Sequence, residues 1–185
     1  MARPRKKGVA EGRTPCFVDE AGFYPLPAVV RTYAPVGQTP VLHEAWTHDH
    51  LSAISAVTPA GQLFARVQER SLCGQDVVRF LSQLLGQVAG KLLIVWDGAS
   101  IHSGQPVKEF LARQPAGRIQ LEQLPGYAPE LNPDEGVWKH LKRVALANVS
   151  TLGLLDLRAE LRRALQRLQR RPDLVQGFFH AAGYL

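Results

Sequence analysis

A chain of 185 residues, 45% hydrophobic and 21% charged, has the size and composition of one globular domain, which excludes a disordered or fibrous polypeptide. No apolar run approaches the ~20 residues of a bilayer-spanning helix, and no apolar stretch follows the basic start, so membrane and exported classes are not expected. A formal net charge of +6 favours a polyanionic partner, most simply nucleic acid, while Cys16 and Cys73 are too few for a disulfide framework, which fits a reducing cytoplasm.

In chain order, residues 1–13 read as a basic arm carrying Arg3, Arg5, Lys6, Lys7 and Arg13, for tracking phosphates or simply solvated. The folded domain is expected over residues 14–185. Cys16-Phe17-Val18 begins a strand that runs into Asp19-Glu20. A Pro- and Gly-rich stretch then holds a short candidate strand, Val29–Tyr33. Leu51–Val57 and Gln62–Gln68 alternate apolar and polar residues around the turn Thr58-Pro59-Ala60-Gly61, which makes a hairpin. Asp76–Val88 places Val77, Phe80, Leu81, Leu84, Leu85 and Val88 at helical spacing. Lys91–Asp97 is a short continuous apolar run between two helices, the mark of a buried strand in a partly parallel sheet. Gln105–Arg113 reads as a helix, Arg118–Leu124 as a strand, and Pro133–Ala147, Leu152–Arg170 and Pro172–Ala181 as helices. One sheet with helices packed on it follows, an α/β fold.

Three places in this order carry acid side chains on rigid elements. Asp97 ends the buried strand, where ligand sites of open α/β sheets lie, although Asp97-Gly98 also suits a plain turn. Alternation places Asp19 on the face of Phe17 and Glu20 on that of Val18, without choosing between them. Asn132-Pro133 open a helix with Asp134 and Glu135 in its first turn, which is both a capping box and an acidic pair at the mouth of a basic helix bearing Lys139, Lys142 and Arg143. Three carboxylates on separate elements would be enough to hold two divalent cations, since Mg²⁺ takes oxygen ligands and keeps several waters. Two such ions ~4 Å apart can activate a water or a 3′-hydroxyl and stabilise the leaving oxygen of a phosphodiester.

Phe17-Val18-Asp19-Glu20-Ala21-Gly22-Phe23 with Ala34-Pro35-Val36-Gly37-Gln38-Thr39-Pro40, then Val95-Trp96-Asp97-Gly98-Ala99-Ser100-Ile101-His102, then Tyr127-Ala128-Pro129-Glu130-Leu131-Asn132-Pro133-Asp134-Glu135-Gly136-Val137-Trp138, resemble the catalytic domain of DDE transposases. The likeness is greatest to the bacterial mariner-like insertion-sequence transposases (the IS-six-thirty group), and it runs from about Thr14 to the end of the chain. It implies an RNase H-like fold with a central mixed five-stranded sheet, three antiparallel strands plus parallel ones, flanked by helices. It implies that Asp19, Asp97 and Glu135 are the catalytic and metal-binding residues, holding two Mg²⁺ (or Mn²⁺) ions, with Glu20 and Asp134 as neighbours. Thirty-seven residues separate Asp97 from Glu135, close to the spacing usual for the group. Asp134 departs from the family, where that position is more often apolar; it would add a charge beside the metals or favour the helix dipole. The implied activity is metal-dependent DNA strand cleavage and strand transfer during transposition, on transposon ends and target DNA.

Lys139, Lys142, Arg143, His102 and Tyr127 are candidate DNA contacts, although His102 reads more readily as a turn histidine. The resemblance also brings a homodimer on paired ends, and a separate helix-turn-helix part, for which residues 1–13 leave no room. The helix Leu152–Arg170 carries a leucine stripe, Leu154, Leu157, Leu161, Leu165 and Leu168, against faces crowded with arginine. Two rival readings stand beside transposition: a structure-selective nuclease, and a catalytically silent DNA-binding or interaction domain derived from a transposase.

Overall fold

The computed structural model describes residues 10–25, 30–31, 33–38, 41, 49–126 and 128–184. At its centre is β1 (Arg13–Phe23), which pairs antiparallel with β2 (Leu51–Val57) from Phe17↔Val57 to Phe23↔Leu51. On its other side β1 pairs in parallel with β4 (Lys91–Trp96), from Arg13↔Lys91 to Phe17↔Val95. β3 (Leu63–Gln68) completes the hairpin with β2, and β5 (Ile119–Gln123) lies parallel to β4, giving the order β3-β2-β1-β4-β5. The mixed five-stranded sheet is therefore the one expected. Its hairpin turn needs glycine: Gly61 has φ +84°, and a Cβ there would stand 2.6 Å from the Pro172 carbonyl oxygen.

Period-2 alternation sorts the sheet into two cores. Phe17, Phe23, Ala53, Val57, Leu93 and Val95 face α3 (Asp134–His140), α4 (Leu154–Gln169) and α5 (Pro172–Ala181). Cys16, Val18, Ile54, Ala56, Leu92 and Ile94 face α1 (Gly74–Gln87) and α2 (Gln105–Ala112). In the leucine stripe of α4, Leu157, Leu161, Leu165 and Leu168 are buried and Leu154 partly so, and Phe179 of α5 meets Phe17 edge-on at 5.4 Å. Each such side chain taken fully out of water contributes roughly 1.5–3 kcal/mol, so the alternation leaves little freedom in register.

Three expectations change. Arg13 is no part of a solvated arm: it opens β1, and its Nη1 donates to the Gly117 carbonyl at 2.8 Å. Arg3 to Lys7 lie outside the described residues. Of the candidate strand Val29–Tyr33, the described Val30, Arg31 and Tyr33 are not in a strand. The helix from Pro133 to Ala147 is not uniform: α3 passes at Leu141–Ala145 into a π-helical turn, closed by the Leu146 N–H on the Leu141 carbonyl.

The start of α1 is tied down by Asp76, only 4% exposed. Arg70 binds it with two parallel bonds of 2.8 Å, Arg79 adds a third contact, and the Cys73 N–H donates at 3.0 Å. These donors hold its carboxyl well below the usual carboxylate range, against the opposing effect of burial. Asp76→Ala is expected to cost about 2–3 kcal/mol, a cap plus charge-assisted bonds, read as a lowered melting temperature at pH 7. Because the folded pKa is depressed, this stabilisation is present above the unfolded value of 3.8 and is lost as the pH falls further.

Candidate active site

The parallel pairing of β1 and β4 ends at Phe17↔Val95. Asp19 and Asp97 each lie two residues beyond that pair, so they leave neighbouring strands on the same face. Glu135 reaches the same place from the first turn of α3. Asn132 docks this helix start against β1, because its Nδ2 donates to the Val18 carbonyl at 3.2 Å. Its Oδ1 accepts the Asp134 N–H at 3.2 Å, so Asn132 caps the helix as expected. The reciprocal half of a capping box is absent among the described residues: the Asn132 N–H donates instead to Pro129. Asp19, Asp97 and Glu135 line one cleft of about 330 Å³, with Gly98, Ala99, Leu124, Pro125, Pro129 and Asn132 among its walls.

The environments of the acids differ. Asp19 is held by Trp138, whose Nε1 donates to Oδ2 at 3.1 Å. Burial first, then the charges of Glu135, Glu20 and Asp97, push its pKa up to about 7. Asp97 is 54% exposed, and its Oδ1 accepts the Ala99 N–H at 2.9 Å. Asp134 corrects the expectation of a charge at the helix mouth: it is fully buried, and the Ser55 hydroxyl lies 2.7 and 2.8 Å from its two oxygens. Burial and the nearby Asp19 raise its pKa well above the ordinary value, which favours its neutral form, and through Ser55 it ties α3 to β2.

His102 corrects another expectation. It is 6% exposed, stacked on Trp96 at 4.4 Å with a 5° tilt, and hydrogen-bonded to Glu20, which leaves it no face for DNA. Burial disfavours its charged form, yet the bond and charge of Glu20 outweigh that and raise its pKa. Lys139 and Arg143 are exposed, and Lys142 is half-buried over the Phe23 ring at 5.2 Å. Tyr127 lies outside the described residues. Ser55 carries no signal in the sequence pattern, and Trp138, 3% exposed, is core as well as the donor to Asp19.

The donor set fits a hard divalent cation in kind: three carboxylates, from three rigid elements, around one cleft with room for water. The raised pKa of Asp19 is a second sign, because carboxylates crowded together are the arrangement a cation relieves. Among the described residues the three do not close into a ready chelate, and Asp97 Oδ1 is already engaged.

A mixed five-stranded sheet of this order, flanked by helices on both faces, is the RNase H-like architecture. Residues 15–156 match the family described as DDE superfamily endonuclease, and the chain belongs to that family. No curated protein matches the sequence. Among solved structures, the Mos1 transposase paired-end complex with the left transposon end is 13% identical with a TM-score of 0.61. That match covers 97% of this chain, which thus spans only 59% of the Mos1 chain. The isolated catalytic domain of the Mos1 mariner transposase is 11% identical with a TM-score of 0.59, covering 97% of this chain and 87% of its own. The Mos1 paired-end complex with Mg is 15% identical, TM-score 0.59, covering 93% and 56%. At these identities the likeness is one of fold.

Proposed function

We propose that this chain is the catalytic domain of a DNA transposase, which cleaves a DNA strand with water and joins the freed 3′-hydroxyl to target DNA. The observation that carries this reading is the meeting of Asp19, Asp97 and Glu135 around one cleft, from two adjacent parallel strands and a helix mouth. It is supported by family membership and by solved relatives of this fold that are described as paired-end complexes with Mg and with Mn and as a strand-transfer complex.

Asp19, Asp97 and Glu135 would hold Mg²⁺ or Mn²⁺, two ions by the resemblance. Bound there, the ions supply Lewis-acid polarisation of the phosphodiester and a more acidic attacking water or hydroxyl. The chain's own residues provide the frame. Trp138 keeps Asp19 aimed into the cleft, Asn132 clamps the mouth of α3 to β1, and Asp134 with Ser55 locks the same helix to β2. Lys139, Lys142 and Arg143 follow on the chain segment behind Glu135, where their charge would attract the phosphate backbone. A homodimer and a separate helix-turn-helix part that reads the transposon ends belong to this reading, as does a cytoplasmic, nucleoid-associated location in a bacterium.

The test is nicking of supercoiled plasmid by the purified chain in Mn²⁺, beside Asp97→Ala and Glu135→Ala, followed by analysis for joined strands. Cleavage lost in both variants, with joined products from the unaltered chain, is the expected result. Cleavage without joining would make it a nuclease. Equal cleavage by all three would overturn the site assignment, and DNA binding without cleavage by any would favour the silent-domain reading. Lys139→Ala and Arg143→Ala are each expected to weaken DNA binding evenly across sequences and to lower the salt slope of affinity by about 1.

A further inference from the structure

Glu20 and His102 stand 82 positions apart in the chain, yet His102 Nε2 lies 2.9 Å from Glu20 Oε1. On its other side the same ring places Nδ1 3.2 Å from the Asp97 carbonyl oxygen and 3.2 Å from Asp97 Oδ1. Acceptors thus flank both ring nitrogens, and one of them is a cleft carboxylate itself. The ring plane is fixed as well, because it lies flat on Trp96, the last residue of β4. Glu20 in turn follows Asp19 in β1. A single imidazole therefore connects the residue after the first cleft carboxylate to the second one.

The stretch that carries Asp97 has reason to need such a tether. Asp97 lies beyond the last paired position of β4, so no strand ladder holds it, and its side chain is half-exposed. Its Oδ1 accepts the Ala99 N–H of the turn that follows, and that turn closes on itself through the His102 N–H on the Ala99 carbonyl. Among the described residues, His102 supplies the side-chain contact from outside that turn's own backbone. A buried polar ring is also a costly way to fill space. A phenyl ring would cover Trp96 without the desolvation that His102 and Glu20 incur, so packing alone does not account for the pair.

We infer that Glu20 and His102 form a brace between β1 and the loop after β4, which fixes the separation and aim of Asp19 and Asp97 toward a divalent cation. They are positioning residues that act through the two aspartates. The inference rests on the carboxylate–metal reading of the cleft. Partners of this kind behind metal ligands typically change metal affinity about 10–100-fold.

The test is Mn²⁺ binding to the metal-free chain, followed by the electron paramagnetic resonance signal of free Mn²⁺, with thermal melting alongside. His102→Phe keeps a flat ring on Trp96 and removes both nitrogens; His102→Gln keeps one donor; Glu20→Gln removes the charge of the partner. Expected are an Mn²⁺ dissociation constant raised at least about 10-fold by His102→Phe, a smaller rise for His102→Gln, and a Glu20→Gln/His102→Phe double variant no weaker than His102→Phe alone. Plain electrostatics predicts the opposite sign for His102→Phe, since removing a basic ring beside carboxylates favours a cation. Unchanged or tighter Mn²⁺ binding by both His102 variants would overturn the brace, as would effects of Glu20→Gln and His102→Phe that simply multiply. Asp97→Asn separates the two levels. If it binds Mn²⁺ as well as the unaltered chain, the metal reading of the cleft falls and the brace with it; if it loses binding while the His102 variants keep it, the brace alone falls.

Discussion

Asp19→Asn is expected to abolish strand cleavage and, in the absence of metal, to raise the melting temperature at pH 8. The two effects share one cause. Asp19 is half-buried beside Glu135, Glu20 and Asp97, and its pKa is pushed up to about 7 from 3.8. The folded state then holds a proton that the unfolded chain releases near pH 3.8, so stability falls as pH rises between the two values. Below the lower value the contribution is complete; above about 7 it is gone. At ~1.4 kcal/mol for each pH unit between them, the loss is at most about 4 kcal/mol, and residual solvent contact reduces it. For a domain of this size each kcal/mol moves the melting temperature by about 2–4 °C. The difference in melting temperature between Asp19→Asn and the unaltered chain should therefore grow from near zero at pH 4 to several degrees at pH 8. Taking the difference matters, because His102, whose pKa is also raised, pulls the same way and cancels in it, whereas Asp134, raised in part by the charge of Asp19, cancels only in part. Mg²⁺ or Mn²⁺ should stabilise the unaltered chain more at pH 8 than at pH 5, and Asp19→Asn much less at either. The loss of activity should be on the order of 10³-fold or more, since several kcal/mol of charge stabilisation are at stake. A variant that melts lower than the unaltered chain at pH 8 would mean that Asp19 is not charged at a cost in the folded state.

Much of the framework behind this site is legible in single residues and their spacing. Alternation through Phe17, Asp19 and Ala21 sets one face of β1, and the unbroken apolar run Leu92–Trp96 between two helical patterns suggests a strand buried on both sides. Asp97 and Glu135 stand out because strand ends and helix mouths present side chains to a ligand from fixed backbone. Most side-chain bonds of the site join elements far apart in the chain: Trp138 to Asp19, Asn132 to Val18, Ser55 to Asp134, His102 to Glu20. Local pattern carries no signal for such pairs, which arise only when β1 takes its place between β2 and β4. Asp134 shows the limit most clearly. In sequence it is a first-turn acid suited to the helix dipole; in the fold α3 lies against β2, and the same carboxyl becomes buried and paired with Ser55.

Gly136→Ala is expected to damage both the fold and the site, although alanine favours a helix by about 1 kcal/mol over glycine. Gly136 follows Glu135 in α3, and a Cβ there would stand 2.6 Å from Phe178 Cγ and 2.8 Å from its Cβ and Cδ1. These atoms are the root of the ring and not a flexible tip, so relief requires α3 and α5 to part. Overpacking of this kind costs about 1–3 kcal/mol, which cancels or exceeds the helical gain. The site is more sensitive than the fold. Glu135 is on the same turn, and a misplacement of about 1 Å at a reacting centre can cost 10²-fold in rate. Plasmid nicking should therefore fall about 10²-fold while melting drops by only a few degrees. Gly98→Ala is the instructive contrast: its Cβ would meet Gln123 Nε2 at 2.6 Å, the free end of a side chain that can swing away, and both readouts should change little. Phe178→Ala placed beside Gly136→Ala should restore much of the nicking, since it removes the atoms in conflict. Nicking that stays low in the double variant would mean that Gly136 serves the site through something other than the space it leaves for Phe178.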